Sequence, residues 1–201
     1  MKKAVFVLTL TIATAITAFV PATNPELEIG KAIPSADVKM MDVSGKEFSL
    51  ADSKVKMACW LFFLHTCPYV KLSEARIKDV ASLAKKNKIG VVLINSNEAQ
   101  REDEDSFEEM KKYAKAQAYD FRYVVDKNSV VADAFGATRT PHVFLFDKKG
   151  LAYRGAIDDN IKDVNDAKEH YLKNAITAVG TGSTVKTNST KSVGCSIKRV
   201  E

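Results

Sequence analysis

The sequence predicts an α/β fold: a mixed central sheet flanked by helices and extended at its N-terminal side by a β-hairpin. Two observations carry this. Short continuous apolar runs, Met57–Phe63 and Ile89–Ile94, have the character of strands buried on both faces. They alternate with segments of helical apolar spacing, an order that implies strands covered by crossover helices.

The elements follow in order. Asn24 to Pro34 is a polar, proline-punctuated lead-in. Val38–Met41 and Glu47–Leu50 flank Asp42-Val43-Ser44-Gly45 and form the hairpin. After the first buried strand, Val70 to Lys86 places Val70, Ile77, Val80, Ala81 and Ala84 at helical spacing. Ser106-Phe107-Glu108-Glu109 has the form of a capping box opening a helix to about Gln117. Tyr123–Val125 is a short strand, and Ser129–Phe135 a short helix closed by Gly136. His142–Phe146 and Leu151–Arg154 pair through the turn Asp147-Lys148-Lys149-Gly150, and Asp166–Val179 is the last long helix. From Thr181 to Ser192 the composition turns to Ser, Thr, Lys and Gly, which reads as a mobile tail.

The organisation expected is therefore a signal peptide over residues 1–22, a folded domain over 23–180 and a tail over 181–201 that carries Cys195. Met1-Lys2-Lys3 and the apolar run Ala4–Val20 have the layout of a secretory signal, with cleavage expected after Ala22. An uncleaved anchor is the alternative, although the run barely reaches the roughly 20 residues a span needs. Removing Lys2 and Lys3 would take the net charge from +5 to +3. No face concentrates Lys and Arg with aromatics, so nucleic acid is not an expected partner. Export to the periplasm or the extracellular space would put Cys59, Cys67 and Cys195 in an oxidising compartment, with at least one thiol unpaired in the monomer.

Cys67-Pro68-Tyr69-Val70 sits where a buried strand turns into a helix. Proline suits the first helical position, which makes Cys67 the N-cap. A thiolate there faces free N–H groups and the positive end of the helix dipole, which lowers its pKa. His65, two residues earlier, is a candidate to tune it further. A buried structural cysteine is the competing reading of Cys67. For Cys59, inside the apolar run, an inert packed thiol is the better one. Thr140-Pro141 by itself marks a turn ahead of a strand. His142 and His170 read as structural or solvent-facing. No His, Cys or carboxylate cluster has metal-ligand spacing, and no cofactor is expected. The acidic run Glu102–Asp105 is explained by the dipole of the helix it precedes.

With these residues in view, the chain resembles the thioredoxin superfamily, and within it redoxin-like exported proteins whose active site reads Cys-x-x-Cys-Pro-Tyr-Val-Lys. This sequence has Leu64-His65-Thr66-Cys67-Pro68-Tyr69-Val70-Lys71. Further matches are Asp105-Ser106-Phe107, Thr140-Pro141, Tyr153–Asp159 and Gly194-Cys195-Ser196-Ile197-Lys198. The resemblance implies a thioredoxin-like fold and a cis peptide before Pro141. It also implies that Thr140 and Pro141 lie against the active cysteine and bind a substrate's extended backbone. It departs from the family at Leu64, where the first cysteine of the pair should stand. Arg139, beside that loop, is a candidate to stabilise the Cys67 thiolate, with a plain surface arginine as the alternative.

The function implied is thiol–disulfide exchange with protein or small-molecule thiols and disulfides. Cys67 is the nucleophile, and Cys195 is its candidate resolving or structural partner, or else a buried residue of a docked tail. The first alternative is a non-catalytic module that binds partners at the Pro141 groove. The second, a thiol peroxidase, lacks its Pro-x-x-x-Thr-x-x-Cys motif, because Trp60 and Leu64 occupy the Pro and Thr positions. The sequence sets no oligomeric state.

Overall fold

The computed structural model describes residues 25–51, 57–163 and 165–200. The signal-peptide segment lies outside the described residues. Nine strands and four α-helices are described: β1 Met40–Asp42, β2 Glu47–Phe48, β3 Ala58–Phe62, α1 Pro68–Lys86, β4 Gly90–Asn95, α2 Phe107–Ala116, β5 Arg122–Val125, α3 Val130–Phe135, β6 Arg139–Thr140, β7 His142–Asp147, β8 Gly150–Gly155, α4 Tyr171–Thr181 and β9 Cys195–Ser196.

Seven strands form one sheet in the order β2-β1-β5-β4-β3-β7-β8. Only its centre is parallel, β3 with β4 and β4 with β5, while the hairpins at either side run antiparallel. A separate ribbon pairs β6 with β9.

All five residues of β3 are buried because both faces of the sheet are covered. Strand alternation divides them. Cys59 and Leu61 join Phe63 in one core with α1, α2 and α4. Ala58, Trp60 and Phe62 enter a second core with α3 and residues of β7. In that second core Phe62, Phe135 and Phe144 meet edge to face, with ring centroids 5.1–5.6 Å apart, the geometry aromatic quadrupoles favour. On α1 the stripe predicted from the sequence is the buried one, with Ser73 and Arg76 added to it.

Four expectations change. The last helix begins at Tyr171 rather than Asp166, because the preceding turns are held by side chains instead: Asn160 Oδ1 accepts from the Lys162 and Asp163 N–H groups, and Asp159 Oδ1 from Lys168 N–H. Ser106 precedes α2 but makes no side-chain cap. Asp105, the last of the acidic run, is fully buried and accepts from Asn95 and Asn97 rather than standing in solvent before α2. The segment read as a mobile tail ends α4 and then runs along the edge of β8. There Arg154 N–H donates to Asn188 O, Thr190 N–H donates to Arg154 O, and Tyr153 Oη meets Thr190 Oγ1. Its polar composition serves an unpaired sheet edge, which composition alone does not distinguish from solvation.

Candidate active site

The site is built where β3 leaves the sheet. Cys67 is the N-cap of α1 in an extended conformation (φ −69°, ψ 124°), and Pro68 opens the helix. Proline has no N–H to lose there and fixes the first helical φ. The Cys67 carbonyl accepts from the N–H groups of Val70 and Lys71, so the chain is committed to the helix from this residue on. The cysteine itself is only 2% exposed. The Thr140–Pro141 peptide bond is cis, and the Thr140 carbonyl oxygen lies 3.4 Å from Cys67 Sγ.

Cys67 is disulfide-bonded to Cys195, with Cα atoms 6.2 Å apart and a sequence separation of 128. The C-terminal segment reaches this position by strand pairing: Thr140 faces Cys195 and Arg139 faces Ser196 across the β6–β9 ribbon, and Ile197 N–H donates to Thr138 O. Gly194 makes the approach possible, since a Cβ there would collide with the Thr140 carbonyl. The edge that the resemblance assigns to substrate backbone is thus occupied by the chain's own residues 194–197.

Other contacts hold the segment without sulfur. Ile197 is buried in the second core. Lys198 donates its N–H to Asn97 Oδ1 at 2.9 Å and accepts from Ala99 N–H. Arg199 Nε reaches Asp133 Oδ1 at 2.7 Å, and its Nη2 reaches the Ala137 carbonyl at 2.8 Å.

Beneath the loop that carries Cys67 lies a buried polar cluster. His65 Nδ1 is 3.1 Å from Tyr123 Oη and 3.4 Å from Asp105 Oδ1. Asn95 and Asn97 donate side-chain N–H groups to the two Asp105 oxygens. Arg101 closes the cluster by donating to the Asp105 and Asn95 carbonyls. Burial pushes the Asp105 carboxyl up and the His65 imidazole down, each only partly offset by the other's charge. Burial thus favours the uncharged form of both groups. Asp105, Asn95, Asn97 and Tyr123 were not singled out from the sequence. The available signal was Asn95-Ser96-Asn97 at the carboxyl end of a buried strand, where such folds place their sites.

The remaining predicted residues are placed as follows. Arg139 is exposed, and its Nη1 lies 3.4 Å from the Gly194 carbonyl, beside Cys195. Cys59 is buried and unpaired, and burial pushes its thiol up to about 12. His142 is buried, while His170 precedes α4 at the surface. Asp158, in the Tyr153–Asp159 motif, receives a buried guanidinium: Arg76 Nη1 lies 2.9 and 2.8 Å from its two oxygens. Among the described residues no group of His, Cys, Asp or Glu is arranged to hold a metal ion, and no helix is long and apolar enough to cross a membrane.

A family model described as AhpC/TSA family matches residues 29–153. No curated protein matches the chain. Among solved structures, a hypothetical protein from Sinorhizobium meliloti 1021 is 33% identical, with a TM-score of 0.76 over 84% of this chain and 94% of its own. An uncharacterized conserved protein from Geobacillus kaustophilus is 31% identical, with a TM-score of 0.78 over 86% of this chain and 93% of its own. A secreted disulfide oxidoreductase of Mycobacterium tuberculosis is similar in fold, at 16% identity and a TM-score of 0.54 over 72% of this chain and 97% of its own.

Proposed function

The chain belongs to the AhpC/TSA family, with the thioredoxin-like fold of that redoxin group, and on that premise we propose that it is a thiol–disulfide oxidoreductase whose redox couple is Cys67 with Cys195. The single observation supporting this is the bond between them. Leu64 stands where a Cys-x-x-Cys pair would have its first sulfur, and the C-terminal strand supplies one from 128 residues away. The second electron of a two-electron exchange then needs no external thiol.

Cys67 has the placement of an activated sulfur. At the N-cap it lies at the positive end of the α1 dipole, which stabilises a thiolate. His65 belongs to the loop leading into Cys67, and the Asp105 cluster fixes that loop from below through Thr66 Oγ1 and His65 Nδ1. The expected substrates are thiols and disulfides, with a dithiol as the recycling partner. The expected location is outside the cytoplasm, where a bond of this kind persists.

The test is turnover with dithiothreitol as electron donor and either glutathione disulfide or insulin as acceptor. Acceptor reduction by the wild-type protein above the rate with dithiothreitol alone, clearly slowed in both Cys67→Ser and Cys195→Ser, is the expected result. Equal rates in wild type and both variants would make the bond structural and favour a binding module instead.

A further inference from the structure

We propose that Cys195 is the sulfur that meets substrate and that Cys67 is the resolving thiol. This rests on the oxidoreductase reading above and assigns the direction of its chemistry.

Access separates the two sulfurs. A thiolate attacks a disulfide sulfur from the side opposite the bond it breaks, so the outcome depends on which sulfur can be reached. Cys67 is 2% exposed and packed among Leu64, Val70 and the rest of the first core. The far side of its sulfur is protein. Cys195 is half-buried at the edge of that core, on a two-stranded ribbon, and its neighbours Ser196 and Val193 are exposed. A pocket of about 410 Å³ between Pro141, Val193, Lys191, Ile157 and Tyr171 borders the segment that leads to Cys195.

The helix terminus separates them in the same sense. Cys67, at the N-cap of α1, is suited to leave: when Cys195 is attacked, the electron pair of the broken bond passes to Cys67 Sγ, where the helix terminus stabilises it.

The steps balance. From the reduced pair, the Cys195 thiolate attacks a disulfide R–S–S–R′, forming Cys195–S–S–R and releasing R′S⁻. The Cys67 thiolate then attacks Cys195 Sγ, closing the Cys67–Cys195 bond and releasing RS⁻. The substrate gains two electrons and the pair loses two. A dithiol restores the reduced pair by attacking Cys195, becoming a disulfide itself. Between steps the segment stays in place, because Ile197, Lys198 and Arg199 hold it without sulfur.

The experiment exposes pre-reduced Cys67→Ser and Cys195→Ser proteins to glutathione disulfide and follows the mixed disulfide by intact mass. Cys67→Ser is expected to gain one glutathionyl group at Cys195 at least about ten-fold faster than Cys195→Ser gains one at Cys67, as accessibility dictates. A second measurement avoids the variants. Reduced wild-type protein, pulsed with limiting iodoacetamide and mapped, is expected to carry the label on Cys195 by the same margin. Equal rates, or label mainly on Cys67, overturn the assignment and leave the oxidoreductase reading standing. If neither thiol forms an adduct and dithiothreitol does not open the native bond, both readings fall.

Discussion

Thr140 faces Cys195 across a two-residue antiparallel ribbon, and its carbonyl oxygen also lies 3.4 Å from the sulfur of Cys67. One residue therefore sets the position of both cysteines: its backbone registers the C-terminal strand, and the same peptide unit covers the N-cap thiol.

That register depends on Gly194. Gly194→Ala places a methyl group against the Thr140 carbonyl, with only backbone to yield. The expected outcome is failure of the 67–195 bond. A thiol titration of the air-oxidised, denatured protein would then rise from one free cysteine, Cys59, to three. An unchanged count would show that the strand has another way to approach.

Opening the bond should weaken the fold without unfolding it. Closing a loop of 128 residues restricts the unfolded chain, an effect of about 2–5 kcal/mol. Urea denaturation with and without dithiothreitol should show a loss of that size. In the reduced form, Ile197 and the Lys198 amide should still resist hydrogen exchange and proteolysis. A reduced protein cleaved at once between Gly194 and Val200 would contradict this.

Arg76 and Asp158 are 5% and 6% exposed and bonded through both carboxylate oxygens. Arg76→Met leaves the carboxylate buried and uncompensated, with an expected loss of about 3–5 kcal/mol in denaturant unfolding. Adding Asp158→Leu should recover part of it, since the double variant removes the orphaned charge. Additive losses would show that the two groups do not act as a pair.

His142 gives the fold an acid dependence. It is fully buried, tilted against Phe144 with ring centroids 4.5 Å apart, and neither ring nitrogen has a hydrogen-bond partner among the described residues. Burial, with a smaller contribution from the Arg154 charge, lowers its pKa from 6.5 to about 3. The unfolded chain therefore binds the proton more tightly. The group costs nothing above its unfolded pKa, and stability is lost as pH falls from about 6.5 toward 3. The gap in unfolding free energy between pH 7 and pH 4 should shrink by about 3 kcal/mol in His142→Phe. An unchanged gap would place the acid sensitivity elsewhere.

Much of this was already written in local pattern. The apolar run at residues 57–63, the α1 stripe and Cys67-Pro68 each encode their role within a few residues, because strand burial, helical periodicity and N-cap chemistry are short-range. The sequence by itself also raised Cys195 as a partner for Cys67 and exposed the gap at Leu64. Only the tertiary structure decided the rest. Asp105 ends a run of four acidic residues, of which Glu102, Asp103 and Glu104 remain exposed; nothing local marks it as the one that turns inward to Asn95, Asn97 and His65. The Ser/Thr/Lys tail has the composition of solvated chain, yet its backbone meets the free edge of β8 and then the Thr140 strand. Hydrogen bonding to a sheet edge uses main-chain groups that every residue carries, so it leaves almost no trace in side-chain identity. The nearness of Cys67 to Cys195, 128 positions apart, is a property of that pairing.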